Sequence, residues 1–116
     1  MFEFLKPRNS LRLAQVDLHA IRSHTKELIR SANKAEIAGS VELAPRDGRT
    51  RMTKEWLEMT SGEAQLAKSI GAAVSSEVNI HAIVDDVIWP LLDEAVVVSQ
   101  SAHDAITRAI RSTGTD

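Results

Sequence analysis

From Asn79 to Ser112 the apolar residues recur with a period that a long amphipathic helix satisfies, and this constrains the fold more than any other stretch. Ile80, Val84, Val87, Leu91, Val98, Ala102, Ala105 and Ala109 stand at steps of three and four or their sum, the spacing that lines one face of a helix with about 3.6 residues per turn. Ile83, Ile88, Leu92, Ala95, Ile106 and Ile110 widen that stripe. Asn79 suits the N-cap, where a short side-chain oxygen accepts from otherwise unpaired amides, and Gly114 suits the stop. A helix of this span is about 50 Å long at roughly 1.5 Å per residue, so other long elements must cover its apolar face. Pro90 falls in its middle. Lacking an N–H, Pro90 cannot bond the carbonyl of Asp86, and the continuing apolar phase predicts a kink there rather than two separate helices.

Two earlier stretches supply the covering elements. Leu11, Ala14, Leu18, Ile21, Thr25, Leu28, Ala32 and Ala35 alternate threes and fours like a coiled-coil seam, while Val16, Ala20, Ile29 and Ile37 lie off it. This helix starts near Ser10 and ends near Gly39, and a hydroxyl in the seam at Thr25 is accounted for by a bond back to its own helix. A third pattern begins at Thr53. It carries Leu57, Thr60, Ala64, Ala67, Gly71, Val74 and Val78 in one row and Trp56, Met59, Leu66, Ile70 and Ala73 in another, which predicts two packed sides. Ala64, Ala67 and Gly71 are small enough to admit a close neighbour, an explanation for a glycine that costs about 1 kcal/mol of helix propensity. Between Ser75 and Asn79 the pattern breaks, either at a tight turn or within a continuous rod exchanged between two copies.

The aromatics amount to two Phe, two Trp and no Tyr, so the core must be aliphatic and rich in alanine, which suits packed helices rather than a sheet. With 116 residues the chain reads as one domain, residues 1–9 forming a tail and 39–52 a basic loop. No cysteine is present, which removes disulfide and thiolate chemistry. Residues 1–10 lack the long apolar run of a signal peptide, and no uncharged run approaches the roughly 20 residues of a membrane span; a cytoplasmic protein is expected. The apolar tip Phe2, Phe4 and Leu5 reads as a tail folding back on the bundle.

Charge is divided along the chain. Residues 1–54 hold eleven bases and six acids, whereas residues 55–116 hold three bases and ten acids. Oppositely charged helices can neutralise one another within a bundle or across a dimer. The connection from Gly39 to Met52 contains Gly39, Pro45 and the turn signal Asp47-Gly48, and at its far end Arg46, Arg49, Arg51 and Lys54 precede a helix capped by Thr53 or Thr50. Bases beside the free amides of a helix start form a binding surface for carboxylate or phosphate. These four residues are therefore the candidate binding site.

Other chemistries find less support. Glu77, His81 and Asp85 are spaced to stack on one helical face and are the best available metal set, although the face borders the apolar stripe. Ser23-His24 lacks a spaced third member for a triad. The helical registers place Glu63 near Asp93 and Glu94, with Lys26 and Arg30 in reach. The sequence thus predicts an all-α antiparallel bundle of three long helices, residues 10–38, 53–77 and 79–112, without strands and homodimeric because three broad stripes exceed what one small bundle buries. As to function, it predicts a non-enzymatic adaptor, antagonist or assembly factor needing no cofactor and binding a protein partner through a helix face or the basic loop. An accessory nucleic-acid-binding protein using the same four bases is the alternative, ahead of a metal-dependent bundle enzyme.

Overall fold

The computed structural model describes residues 18–43 and 50–113. The tail at residues 1–9, the first eight residues of the seam helix, Gly114, and both Arg46 and Arg49 lie outside the described residues. Helix α1 spans Leu18–Ala38, strands β1 and β2 span Val41–Leu43 and Thr50–Met52, and helix α2 spans Lys54–Ser75. A third helical stretch, α3, joins α-helical Ile80–Ile83, π-helical Val84–Ile88 and α-helical Trp89–Glu94. Helix α4 spans Gln100–Arg111. The described residues are mainly helical, with four helices where the sequence predicts three and a two-stranded hairpin where it predicts a loop.

Helices α1 and α2 run antiparallel: His24 Nδ1 lies 2.7 Å from Ser69 Oγ, and a Cβ placed on Gly62 would meet Leu28 Cδ1 at 3.5 Å. Helix α3 returns alongside α1, and α4 turns back to pack against both α1 and α2. The core follows from the predicted stripes. Ile21, Leu28, Met59, Leu66, Ile70, Ile83, Ile88 and Ile106 are fully buried, and Ala32, Ala35, Ala102, Ala105 and Ala109 fill the spaces between them. Large side chains set against small ones allow helices to interlock at interior packing density. Thr25 sits in this core and donates to the Ile21 carbonyl at 2.7 Å, so its hydroxyl is satisfied by its own helix.

The turn between α2 and α3 is a Schellman motif. Val78 N–H reaches the carbonyl of Ala73 and Glu77 N–H that of Val74, while Glu77 adopts φ +65, where glycine is the usual occupant. Val78 is buried beneath it. Asn79 then caps α3, its side chain accepting from His81 N–H at 2.8 Å. Of the two alternatives, the tight turn is the one formed.

The last stripe departs from expectation. Pro90 is accommodated by the π-helical turn before it, in which Trp89 N–H bonds to the carbonyl of Val84, five residues back. The helix stops at Ala95, whose backbone is extended, and restarts with Ser99 as N-cap. Three consecutive β-branched residues, Val96, Val97 and Val98, lose rotamer freedom in a helix and weaken it there. Asn33 then replaces the missing helical bonds: its side chain donates to the Val97 carbonyl and accepts from Ser99 N–H, both at 2.9 Å. Nothing in the apolar period registers such a bond, because it comes from another helix.

Gly71 also departs from expectation. A Cβ built there would meet nothing within 4 Å, and Ala64 is exposed, so the row of small residues marks no close helix crossing. Glu63 bonds Arg108 at 2.9 Å rather than facing Asp93 and Glu94, because the break at 95–99 returns α4 past that level of α2. No helix of the described residues is long and apolar enough to cross a membrane.

Candidate interaction surface

The surface begins where α1 ends. Gly39 adopts φ +84 and its N–H bonds the Ala35 carbonyl at 2.8 Å, closing the helix in the left-handed conformation that glycine accepts without a Cβ penalty. The chain then enters β1, which pairs antiparallel with β2 in the register Val41 with Met52, Glu42 with Arg51 and Leu43 with Thr50. Thr53 locks the base of this hairpin. Its N–H bonds the Ser40 carbonyl, its hydroxyl donates to the Gly39 carbonyl at 2.6 Å, and the same oxygen accepts from Trp56 N–H to cap α2. One nearly buried threonine thus ties the end of α1, the hairpin and the start of α2 together.

The Thr53 to Ser40 bond fixes the phase of the ladder. Thr53 N–H donates to the Ser40 carbonyl while the Thr53 carbonyl accepts from Leu57 N–H, and in this phase the N–H and C=O of Val41 and Met52 face away from the partner strand. A two-stranded ribbon has two such open edges, and by itself it is marginally stable in water unless something covers an apolar face. The helices do not cover it: Val41 and Met52 remain 57% and 40% exposed.

They are not isolated. Ile37 near the end of α1 is 89% exposed, and Leu57 in the first turn of α2 is also exposed. Val96, at 99%, and Val97 stand in the α3–α4 break, which Asn33 ties to the last turns of α1; Glu36 strengthens the tie by accepting from Ser101 N–H at 2.8 Å. Ile37 lies one turn beyond Asn33 on the same face of α1. All six large apolar side chains that remain exposed among the described residues therefore gather at the hairpin end of the bundle. Burying a side chain of this kind contributes about 1.5 to 3 kcal/mol, so these six left in water are the main unburied apolar surface of the described residues.

Of the four predicted binding residues, Arg51 and Lys54 are described and both are exposed at this end, on β2 and at the first position of α2. Acids stand among them in the sequence. Residues 34–58 hold five bases and five acids, so the loop is basic only when taken apart from its flanks. The larger omission was the apolar component. Ile37 sits off the coiled-coil seam and Val41 and Met52 flank a stretch read as loop, and only the alternation of a hairpin would have brought the last two into one patch.

Elsewhere the chemistry is sparse. Glu77 precedes the cap of α3 and Asp85 belongs to the π-helical turn, so the expected stack with His81 does not form, and among the described residues no three metal-ligating side chains come together. His24 and Ser69 form a serine–histidine pair, but no carboxylate bonds the other imidazole nitrogen among the described residues, and the bond joins α1 to α2 as a packing contact. Trp89 stacks on His103 with ring centroids 5.9 Å apart, at the wall of an open groove of about 440 Å³ that Leu92, Val98 and Gln100 also line. Comparison with protein-family models, curated proteins and solved structures finds nothing that matches this chain.

Proposed function

We propose that this chain is a non-enzymatic protein–protein interaction module, an adaptor, antagonist or assembly factor, that works through the hairpin end of its bundle and forms a homodimer. A single observation carries the reading: the large apolar side chains left exposed among the described residues, Ile37, Val41, Met52, Leu57, Val96 and Val97, share one end of the bundle. A rim of charged residues surrounds them, with Lys34, Glu36, Arg51, Lys54 and Glu58 exposed. Apolar centre and charged rim is the anatomy of a protein interface. A phosphate-binding surface would carry an excess of positive charge, since neutralising phosphates supplies most of such affinity, and residues 34–58 carry none.

The test is capture from an extract of the source organism with tagged wild-type protein and with the Ile37→Glu and Met52→Glu variants as bait, each with and without nuclease. The reading expects a discrete protein that survives nuclease and is lost with both variants. Material released entirely by nuclease would establish the nucleic-acid alternative and overturn the reading.

A further inference from the structure

We infer that the groove between α1 and α3 is a second docking surface, which takes an amphipathic helix of a protein partner with an apolar ridge, acids along one flank and bases along the other. The inference goes beyond the hairpin end and does not depend on it. The groove is an open slot of about 250 Å³ lined by Lys26, Ile29, Leu91, Glu94 and Ala95. Its floor is apolar, with Ile29 buried and Leu91 and Ala95 half-buried against the core. Lys26 and Glu94 are exposed and stand on opposite walls, one from each helix. Sites for whole small molecules run larger, at about 300 to 1,000 Å³. A slot of this size between two neighbouring helices suits one large apolar side chain from a helix laid along it.

Charge defines the flanks of the partner. On α1 the bases Arg22, Lys26, Arg30 and Lys34 follow one another at steps of four, and all are exposed. Such a step advances about 6 Å along a helix and turns little around it, so the four form one ridge. The two acids of α1 leave that wall net basic: Glu27 pairs with Arg30 at 2.9 Å, and Glu36 is engaged by Ser101 N–H. On α3 the sign reverses, since Asp85, Asp86, Asp93 and Glu94 are exposed and the helix has no lysine or arginine. The walls do not satisfy one another, because among the described residues no ion pair joins α1 to α3. A helix in the slot therefore meets bases on one side and acids on the other, and its own flanks must carry the opposite signs in that order. A segment of one sign would be attracted by one wall and repelled by the other. Nucleic acid is disfavoured for the same reason, as the carboxylates of α3 repel its phosphates. The apolar contact supplies the affinity, and the exposed charge pairs set direction and selectivity.

The experiment is fluorescence anisotropy of a labelled synthetic peptide titrated with the full chain. The peptide has about 20 residues, long enough to hold a helix, with a leucine ridge, glutamates along one flank and lysines along the other. Peptides with glutamate on both flanks or lysine on both, and a single-stranded oligonucleotide, are titrated beside it. Wild type should bind the mixed peptide more tightly than any of the three. Lys26→Glu and Glu94→Lys should each weaken that binding by about fivefold, as an exposed attraction becomes a repulsion. The control Ala72→Glu, on the exposed side of α2, should not. Far-ultraviolet circular dichroism should stay unchanged in all three variants, because each position is already exposed. No binding of the mixed peptide, preference for a peptide of one sign or for the oligonucleotide, or indifference to K26E and E94K overturns the inference. Self-association of the chain that K26E and E94K both abolish, followed by sedimentation equilibrium, overturns it as well, by placing a second copy in the groove.

Discussion

Gly71→Ala is the substitution on which the sequence pattern and the structure give opposite answers. If Gly71 marks a close helix crossing, as its row with Ala64 and Ala67 suggests, an added methyl collides and the fold weakens. In the structure the new Cβ has nothing within 4 Å, so no packing term opposes the change. What remains is the backbone: alanine exceeds glycine by about 1 kcal/mol in a helix interior, mostly through the freedom glycine has in the unfolded chain. Position 71 is well inside α2, four residues from its end, so that value applies nearly in full. For a chain of this size about 1 kcal/mol raises the melting temperature by roughly 4 °C. The assay is thermal and urea denaturation followed by circular dichroism, with Gly62→Val beside it. At Gly62 a Cβ would already touch Leu28 at 3.5 Å, and the two further methyls should destabilise by about 1 to 3 kcal/mol through overpacking. Destabilisation by G71A would refute the reasoning, since it would mean that a neighbour occupies the space.

Glu77→Gly should stabilise by about 1 kcal/mol, because the left-handed conformation at φ +65 costs a side chain roughly that much and costs glycine little; equilibrium urea unfolding reads it directly. Asn33→Ala removes both bonds that hold the α3–α4 break and should cost about 1 to 2 kcal/mol, with faster amide exchange at Ser99 as its local sign. Leu66→Ala leaves a cavity in the centre of the core and should cost about 3 kcal/mol in the same assay. Removing the Glu63–Arg108 pair with Arg108→Ala should cost less than about 1 kcal/mol, since Arg108 is half exposed and the attraction is screened.

The helical class and the core were legible because both are written in periodicity. Ile21, Leu28, Leu66, Ile70, Ile83 and Ile106 all fall on the predicted stripes and all are buried, and the caps at Thr53 and Asn79 follow from side chains that outcompete the backbone locally. What was missed depends on partners distant in sequence. The break at 95–99 needs Asn33, more than sixty residues away, and apolar spacing alone carried the helix through it. The hairpin was missed because its strands are three residues each, too short for an alternating pattern to stand out from a loop. Missing it hid the site. Arg51 and Lys54 were visible as charges, but the apolar surface beside them exists only once Val41 is set opposite Met52.

Hydrogen exchange of the chain alone and in its captured complex tests the central claim most directly, because it reports association and its location together. The outward-facing amides of Val41 and Met52 have no partner within the ribbon, and in an isolated chain they should exchange rapidly. The account expects both to become protected in the complex, together with Ile37 and Val97, while the outer face of α2 around Ala72 stays unchanged. Exchange at the hairpin end that is as fast in the complex as in the chain alone would contradict it.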